Sequence, residues 1–129
     1  MALRSLIGRL TSSSLAQRGW RAVLCALLVA VLWLALTPDS QPVTGTGWDK
    51  ANHLLAFVAL AIAGRFGFPG RASRSLMLAG ALLAFGGLIE VLQASVPGRS
   101  AEWADVLADL AGIATGTLIA AMALRSARS

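Results

Sequence analysis

Asp49, Lys50 and His53 open one apolar stretch of this sequence. Glu90 and Gln93 close the next, and Arg99 precedes Glu102, Asp105 and Asp109. Positions 49 and 53 are i,i+4, positions 90 and 93 are i,i+3, and positions 102, 105 and 109 are i, i+3 and i+7. On helices each set therefore occupies one face. The last stripe continues into Gly112 and Gly116, a GxxxG whose small residues let a neighbouring helix approach. His53 and Glu90 are suited to exchange a proton near neutral pH. Asp105 can orient His53 or Arg99, and Lys50 and Arg99 can hold a phosphate, the arginine with a bidentate grip. The expected site is His53, Glu90 and Asp105 for chemistry, Lys50, Gln93, Arg99 and Asp109 for ligand contact, and Asp49, Gly112 and Gly116 as structural supports. His53, Glu90, Asp105 and Asp109 also carry nitrogen and oxygen ligand atoms. No short ligand motif such as HExxH is present, so neither a metal nor a cofactor is expected.

The elements that must position these residues are apolar. Of 129 residues, 13% are charged and 57% hydrophobic, against a usual charged share of roughly 25%. A soluble helical bundle needs a polar face on every helix. From Ala22 to Leu36 no face carries a polar residue except for the thiol of Cys25. Four apolar segments, 20–36, 50–68, 75–95 and 101–124, each approach the roughly 20 residues needed to cross a bilayer core. The second is cleanly apolar only over 54–64. Their Ala- and Leu-rich composition favours helix, and lipid admits only helices or closed barrels. The expectation is an all-α polytopic membrane protein. Its four-transmembrane-helix bundle spans 20–124, between an N-terminal tail at 1–19 and a C-terminal tail at 125–129.

Thr37 to Asp49 reads as an exposed loop, Gly67-Phe68-Pro69-Gly70 as a turn, and Val96-Pro97-Gly98 as the tight turn of an antiparallel hairpin. Residues 1–36 are read as a retained first span rather than a cleaved signal peptide, because Leu34-Ala35-Leu36 is a poor cleavage site. The single cysteine excludes an internal disulfide.

The net charge of +5 is unevenly placed. Arg4, Arg9 and Arg18 belong to the N-terminal tail with Arg21 at the edge of the first span, the second loop has Arg65, Arg71 and Arg74, and Arg125 and Arg128 follow the last span. Only Lys50 and Arg99 fall on the other side. Cations stay on the cytoplasmic side, so both termini are expected there and all six acids and the one histidine on or near the outer side. Contact with anionic inner-leaflet lipid accounts for the basic tails, and nucleic acid is not an expected partner.

Acids inside such helices need a reason. A carboxylate at the bilayer centre costs about 2.5–3.5 kcal/mol on insertion scales, and polar pairs between membrane helices return only about 0.6 kcal/mol each. Two readings stay open. Lys50, His53 and Arg99 pair with Glu90, Asp105 and Asp109 to lock helices together, or the cluster is an outward-facing pocket for a lipid or glycan head group, as a binder or as an enzyme. Several residues carry plainer expectations. Trp20, Trp48 and Trp103 belong to interfacial belts, Glu102 is solvated at a helix start, Asp49 is an N-cap, and Gly86-Gly87 permits close packing.

Asp49-Lys50-Ala51-Asn52-His53, then Glu90-Val91-Leu92-Gln93, Arg99, Asp105, Asp109 and Gly112 together form a pattern that resembles the VanZ-like family, over about residues 48–120. Leu54-Leu55 departs from it, where the family often has aromatics. The family is named for a bacterial membrane protein associated with low-level resistance to teicoplanin, a lipoglycopeptide acting at the outer face of the membrane. The resemblance implies a multi-pass protein of the bacterial inner membrane with its polar cluster outward, and a connection to envelope lipids or cell-wall intermediates. It supplies a place and a cluster rather than a reaction.

Overall fold

A computed structural model describes residues 2–38 and 48–127, with side chains from 5 to 38 and from 50 to 127. The loop expected between Thr37 and Asp49 lies largely outside the described residues, as do the side chains of Arg4, Trp48, Asp49 and Arg128. All regular structure among the described residues is helical: α1 (Ala2–Ser12), α2 (Ser14–Leu36), α3 (Trp48–Gly67), α4 (Ala72–Gln93) and α5 (Trp103–Ser126).

The N-terminal tail thus contains a helix of its own. The Ser13 side chain caps the start of α2 by accepting from Ala16 N–H, so α2 begins six residues before the expected span. Trp20 Nε1 donates back to Leu10 O at 2.8 Å and ties α1 to α2.

The four long helices run up and down. Arg21 Nε, near the start of α2, donates to Gly67 O at the end of α3 (2.8 Å), and the same guanidinium lies over the Phe68 ring. Trp20 meets Phe66 edge-on in the same region. At the opposite end Gln93 Nε2, the last residue of α4, donates to Ala35 O in the last turn of α2 (3.0 Å). Replacing Arg21 by leucine should remove the bond to Gly67 O and cost ~1 kcal/mol, read as a lowered thermal midpoint in detergent; an unchanged midpoint would show that this tie is idle.

The core lies along α3, which contributes buried Phe57, Leu60, Ala61, Ala63 and Phe66, while α2 contributes Leu24. The broadest helix pairing is α3 with α5, and glycine explains it. A Cβ built on Gly112 would stand 2.5 Å from Leu54 O and 2.9 Å from Phe57 Cβ. One on Gly116 would stand 2.5 Å from Val58 O. The two backbones approach within a distance that only hydrogen side chains allow.

Outside this core the molecule is apolar. Val29, Trp33 and Leu34 on α2, Leu76, Met77, Leu88 and Val91 on α4, and Leu107, Leu118 and Met122 on α5 are all exposed. A soluble monomer does not carry apolar surface of that extent. Among the described residues three helices, α2, α4 and α5, are long and apolar enough to cross a membrane. That differs from the expected four, and the exception is α3. It carries Lys50, Asn52, His53 and Arg65 within its 20 residues and turns most of its apolar surface inward. Helix α3 meets neighbours where α2 meets lipid, so its sequence is under less pressure to be uniformly apolar.

Arg65 marks a second difference. It belongs to α3 rather than to a loop, and it is buried, with Nε and Nη1 lacking hydrogen-bond partners among the described residues.

Candidate functional site

The hairpin between α4 and α5 sets up the polar end. Arg99 N–H donates to Val96 O at 3.1 Å across Pro97-Gly98, and Gly98 has φ 79°. Proline at the second position and a positive φ at the third make a type II turn, where a glycine is required. Glu102 follows as the N-cap residue of α5 but caps nothing with its side chain. Instead its backbone N–H, one of the donors left over at a helix start, donates to Glu90 Oε2 at 2.8 Å. The end of α4 is thereby fastened to the start of α5 through a carboxylate.

Asp105 and Asp109 follow on the face of α5 that meets α3. They are buried to 2% and 0% exposure. From α3, His53 Nδ1 lies 2.9 Å from Asp109 Oδ1, and His53 Nε2 lies 4.0 Å from Asp105 Oδ2. Lys50, one turn earlier, lies 2.7 Å from Glu102 Oε2 and 3.6 Å from Asp105 Oδ1. The lysine hydrogen bond holds the Glu102 carboxyl below its ordinary range. Gly86 on α4 makes room for the cluster, since a Cβ there would run into the Asp109 carboxylate. Glu90 Oε1 and Asp109 Oδ2 are buried and lack hydrogen-bond partners among the described residues. The four carboxylates Glu90, Glu102, Asp105 and Asp109 outnumber the nearby cations, even counting Arg99 and a protonated His53.

Arg99 contributes differently. Nη2 donates to Leu34 O (3.2 Å) and Nε to Thr37 O (3.3 Å), at the C-terminal end of α2. A cation there suits carbonyls that no helical N–H can reach. Arg99 also lines, with His53, Asn52 and Gln93, a cleft of about 420 Å³ whose other walls are apolar, among them Val31, Leu34, Ala56 and Phe57. A second cleft of about 400 Å³ opens between α4 and α5, beside Glu90, Glu102 and Trp103.

Lys50, His53, Glu90, Asp105 and Asp109 thus gather at one end of the bundle, and Gln93 and Arg99 stand at the adjoining cleft. Gly112 and Gly116 lie further along the α3–α5 seam. Asp49 falls in the first turn of α3. Glu102 is exposed at a helix start, as expected, and what sequence reasoning missed is its pairing with Lys50. Its signal was available: it lies on the same helical stripe as Asp105 and Asp109, and Lys50 is the cation nearest the same end. Trp103 is 87% exposed. Trp20 is half-buried against Phe66.

No curated protein and no solved structure gives a significant match. The profile of the family described as VanZ/LLP1 matches residues 11–124, which take in α2 to α5 and leave out nearly all of α1. With the match running through every helix that builds the polar end, the chain belongs to the VanZ/LLP1 family.

Proposed function

We propose that this protein receives the head group of an envelope lipid, or of a lipid-linked glycan intermediate, at the polar end of its bundle. The observation that carries the reading is the cleft beside Arg99. One end presents His53, Asn52, Gln93 and Arg99, and the rest is wall of Val31, Leu34, Ala56 and Phe57. An amphiphile has that polarity: a phosphate for the guanidinium, chains for the wall. The exposed apolar belts of α2, α4 and α5 support lateral entry from a bilayer.

Four passes fit this reading. Helix α3 starts where α2 ends and ends where α2 starts, which supports a crossing of α3 alongside its neighbours despite its polar residues. Arg9, Arg18, Arg71, Arg74 and Arg125 lie toward the end opposite the cluster, and the tendency of cations to stay cytoplasmic supports an orientation with both termini inside a bacterial inner membrane and the cluster outward. A protein holding such a lipid at the outer leaflet would alter sensitivity to a glycopeptide that docks there. Reporter fusions at residues 70 and 98 should read inside and outside respectively. Two fusions reading the same side would remove the outward pocket.

Native mass spectrometry of gently extracted protein tests the pocket. A co-purifying phospholipid or polyprenyl phosphate is expected, with occupancy reduced in Arg99→Ala. Bare protein from several mild detergents would overturn the reading. An enzyme would further lose turnover in His53→Ala and Glu90→Gln while the lipid remained bound; a binder would keep its ligand in Glu90→Gln and show no turnover to lose.

A second reading has its own support. Lys50 and His53 face acids of the cluster, and Arg99 donates to α2 carbonyls. A polar network that only locks α2, α3, α4 and α5 together would look the same, and it would lose folded protein before any ligand.

A further inference from the structure

Three groups at the polar end come from three different helices. His53 (α3), Glu90 (α4) and Asp105 (α5) each offer a ligand atom, and these atoms all lie within 4.8 Å of one another. Two acids and a histidine in proximity are not a site by themselves. Two further observations point to a cation. First, Glu90 is 7% exposed and its Oε1 lacks a hydrogen-bond partner among the described residues. Its other oxygen is taken by Glu102 N–H. A buried carboxylate oxygen without a donor is costly, and a bound cation would offset that cost.

Second, His53 is held as a metal-binding histidine is held. Its Nδ1 lies 2.9 Å from Asp109 Oδ1, and a carboxylate on one ring nitrogen fixes the tautomer and turns the other nitrogen toward a metal. That other nitrogen, Nε2, faces Asp105 Oδ2 across 4.0 Å. An imidazolium clamped between two aspartates would close to hydrogen-bond distance on both sides, about 2.7–2.9 Å for a charged pair. Here one side stands at that distance and the other at 4.0 Å, a separation that two ligands of one ion can share. Lys50 approaches Asp105 through its other oxygen, Oδ1, at 3.6 Å.

We propose that His53, Glu90 and Asp105 bind a divalent cation of borderline character, such as Zn²⁺, with Asp109 orienting His53. Neighbouring ligand atoms of a tetrahedral zinc site stand about 3.4 Å apart for bonds of about 2.1 Å. Rotation of the two carboxylates closes the remaining distance. Three protein ligands leave a coordination position for water or an anionic oxygen, and His53 borders the cleft where the proposed head group lies. A cation there also balances the excess of carboxylates. The cation site thus deepens the head-group reading: a phosphate oxygen would be its natural fourth ligand.

The full-length protein, stripped with EDTA in mild detergent and titrated calorimetrically with ZnCl₂, should take up one ion per chain. Asp109→Asn should weaken binding about 10–100-fold. His53→Ala and the near-isosteric Glu90→Gln should abolish it. Co²⁺ bound to the unaltered protein should show the visible absorption of a nitrogen- and oxygen-ligated ion, which keeps the test independent of whether any variant folds. Wild-type protein that takes no zinc, or variants that bind it unchanged, would overturn the cation site. Lipid retention is measured on the same EDTA-treated protein. Lipid kept without zinc uptake removes the cation site alone, and zinc uptake without lipid removes only the head-group reading.

Discussion

His53→Ala is expected to destabilise the folded protein more than any other single substitution in the cluster. The reason is an asymmetry between the partners of one contact. Asp109 is fully buried and lies 2.9 Å from His53 Nδ1. Taking away the imidazole strands a buried carboxyl oxygen without its partner, which costs ~1–3 kcal/mol and more where the group is charged. Taking away the carboxylate by Asp109→Asn leaves an imidazole that can stay neutral beside an amide, so its cost should be much smaller. Replacing both, as His53→Leu with Asp109→Leu, removes both polar groups and should restore much of the loss. Thermal midpoints in one detergent measure all three. Equal effects of His53→Ala and Asp109→Asn would show that water reaches the pair. The double variant also separates the two functional readings: restored stability with lost lipid occupancy assigns the pair to a site, whereas restored stability with retained lipid assigns it to packing.

The second large effect concerns two glycines with opposite surroundings. Gly112→Ala should lose ~1–3 kcal/mol, the usual range for forcing atoms into a packed interior. The new methyl would meet Leu54 O at 2.5 Å, and a backbone carbonyl cannot swing aside as a side chain can. Gly87→Ala places the same methyl where nothing lies within 4 Å, so it should gain up to ~1 kcal/mol from helix propensity alone. Opposite signs in the same assay are the expected result. A Gly112→Ala protein as stable as the parent would mean that α3 and α5 are further apart than described.

The helix positions were legible because composition and period agree over long runs. Cys25 aside, the segment 22–36 has no polar side to offer, and Gly112-x-x-x-Gly116 announced a close approach without naming the partner. The polar end was legible for a different reason. Charged residues are so rare in these helices that spacing alone put Asp105 and Asp109 on one stripe and His53 on another. What spacing did not reveal was pairing across helices. The Glu102 N–H bond to Glu90 depends on how a turn folds back, and no periodicity encodes it. The two carbonyls taken by Arg99 lie more than sixty residues away. Helix α3 stood out as cleanly apolar only over 54–64, and the sequence shows its polar residues but not the neighbours that cover them. Arg65 was read as a loop cation for the same reason: its position near a turn is visible in the sequence, and its burial is not.

The glycine seam between α3 and α5 has a consequence for how the chain is made. Helix α3 leaves the ribosome about 50 residues before its main companion. As a nascent segment it carries Lys50, His53 and Arg65 with only α2 of its neighbouring long helices already made. On the four-pass reading it cannot commit to the bilayer alone. It waits at the translocation channel or in the interface until α4 and α5 arrive as a hairpin, so insertion and folding become one event for the second half of this protein.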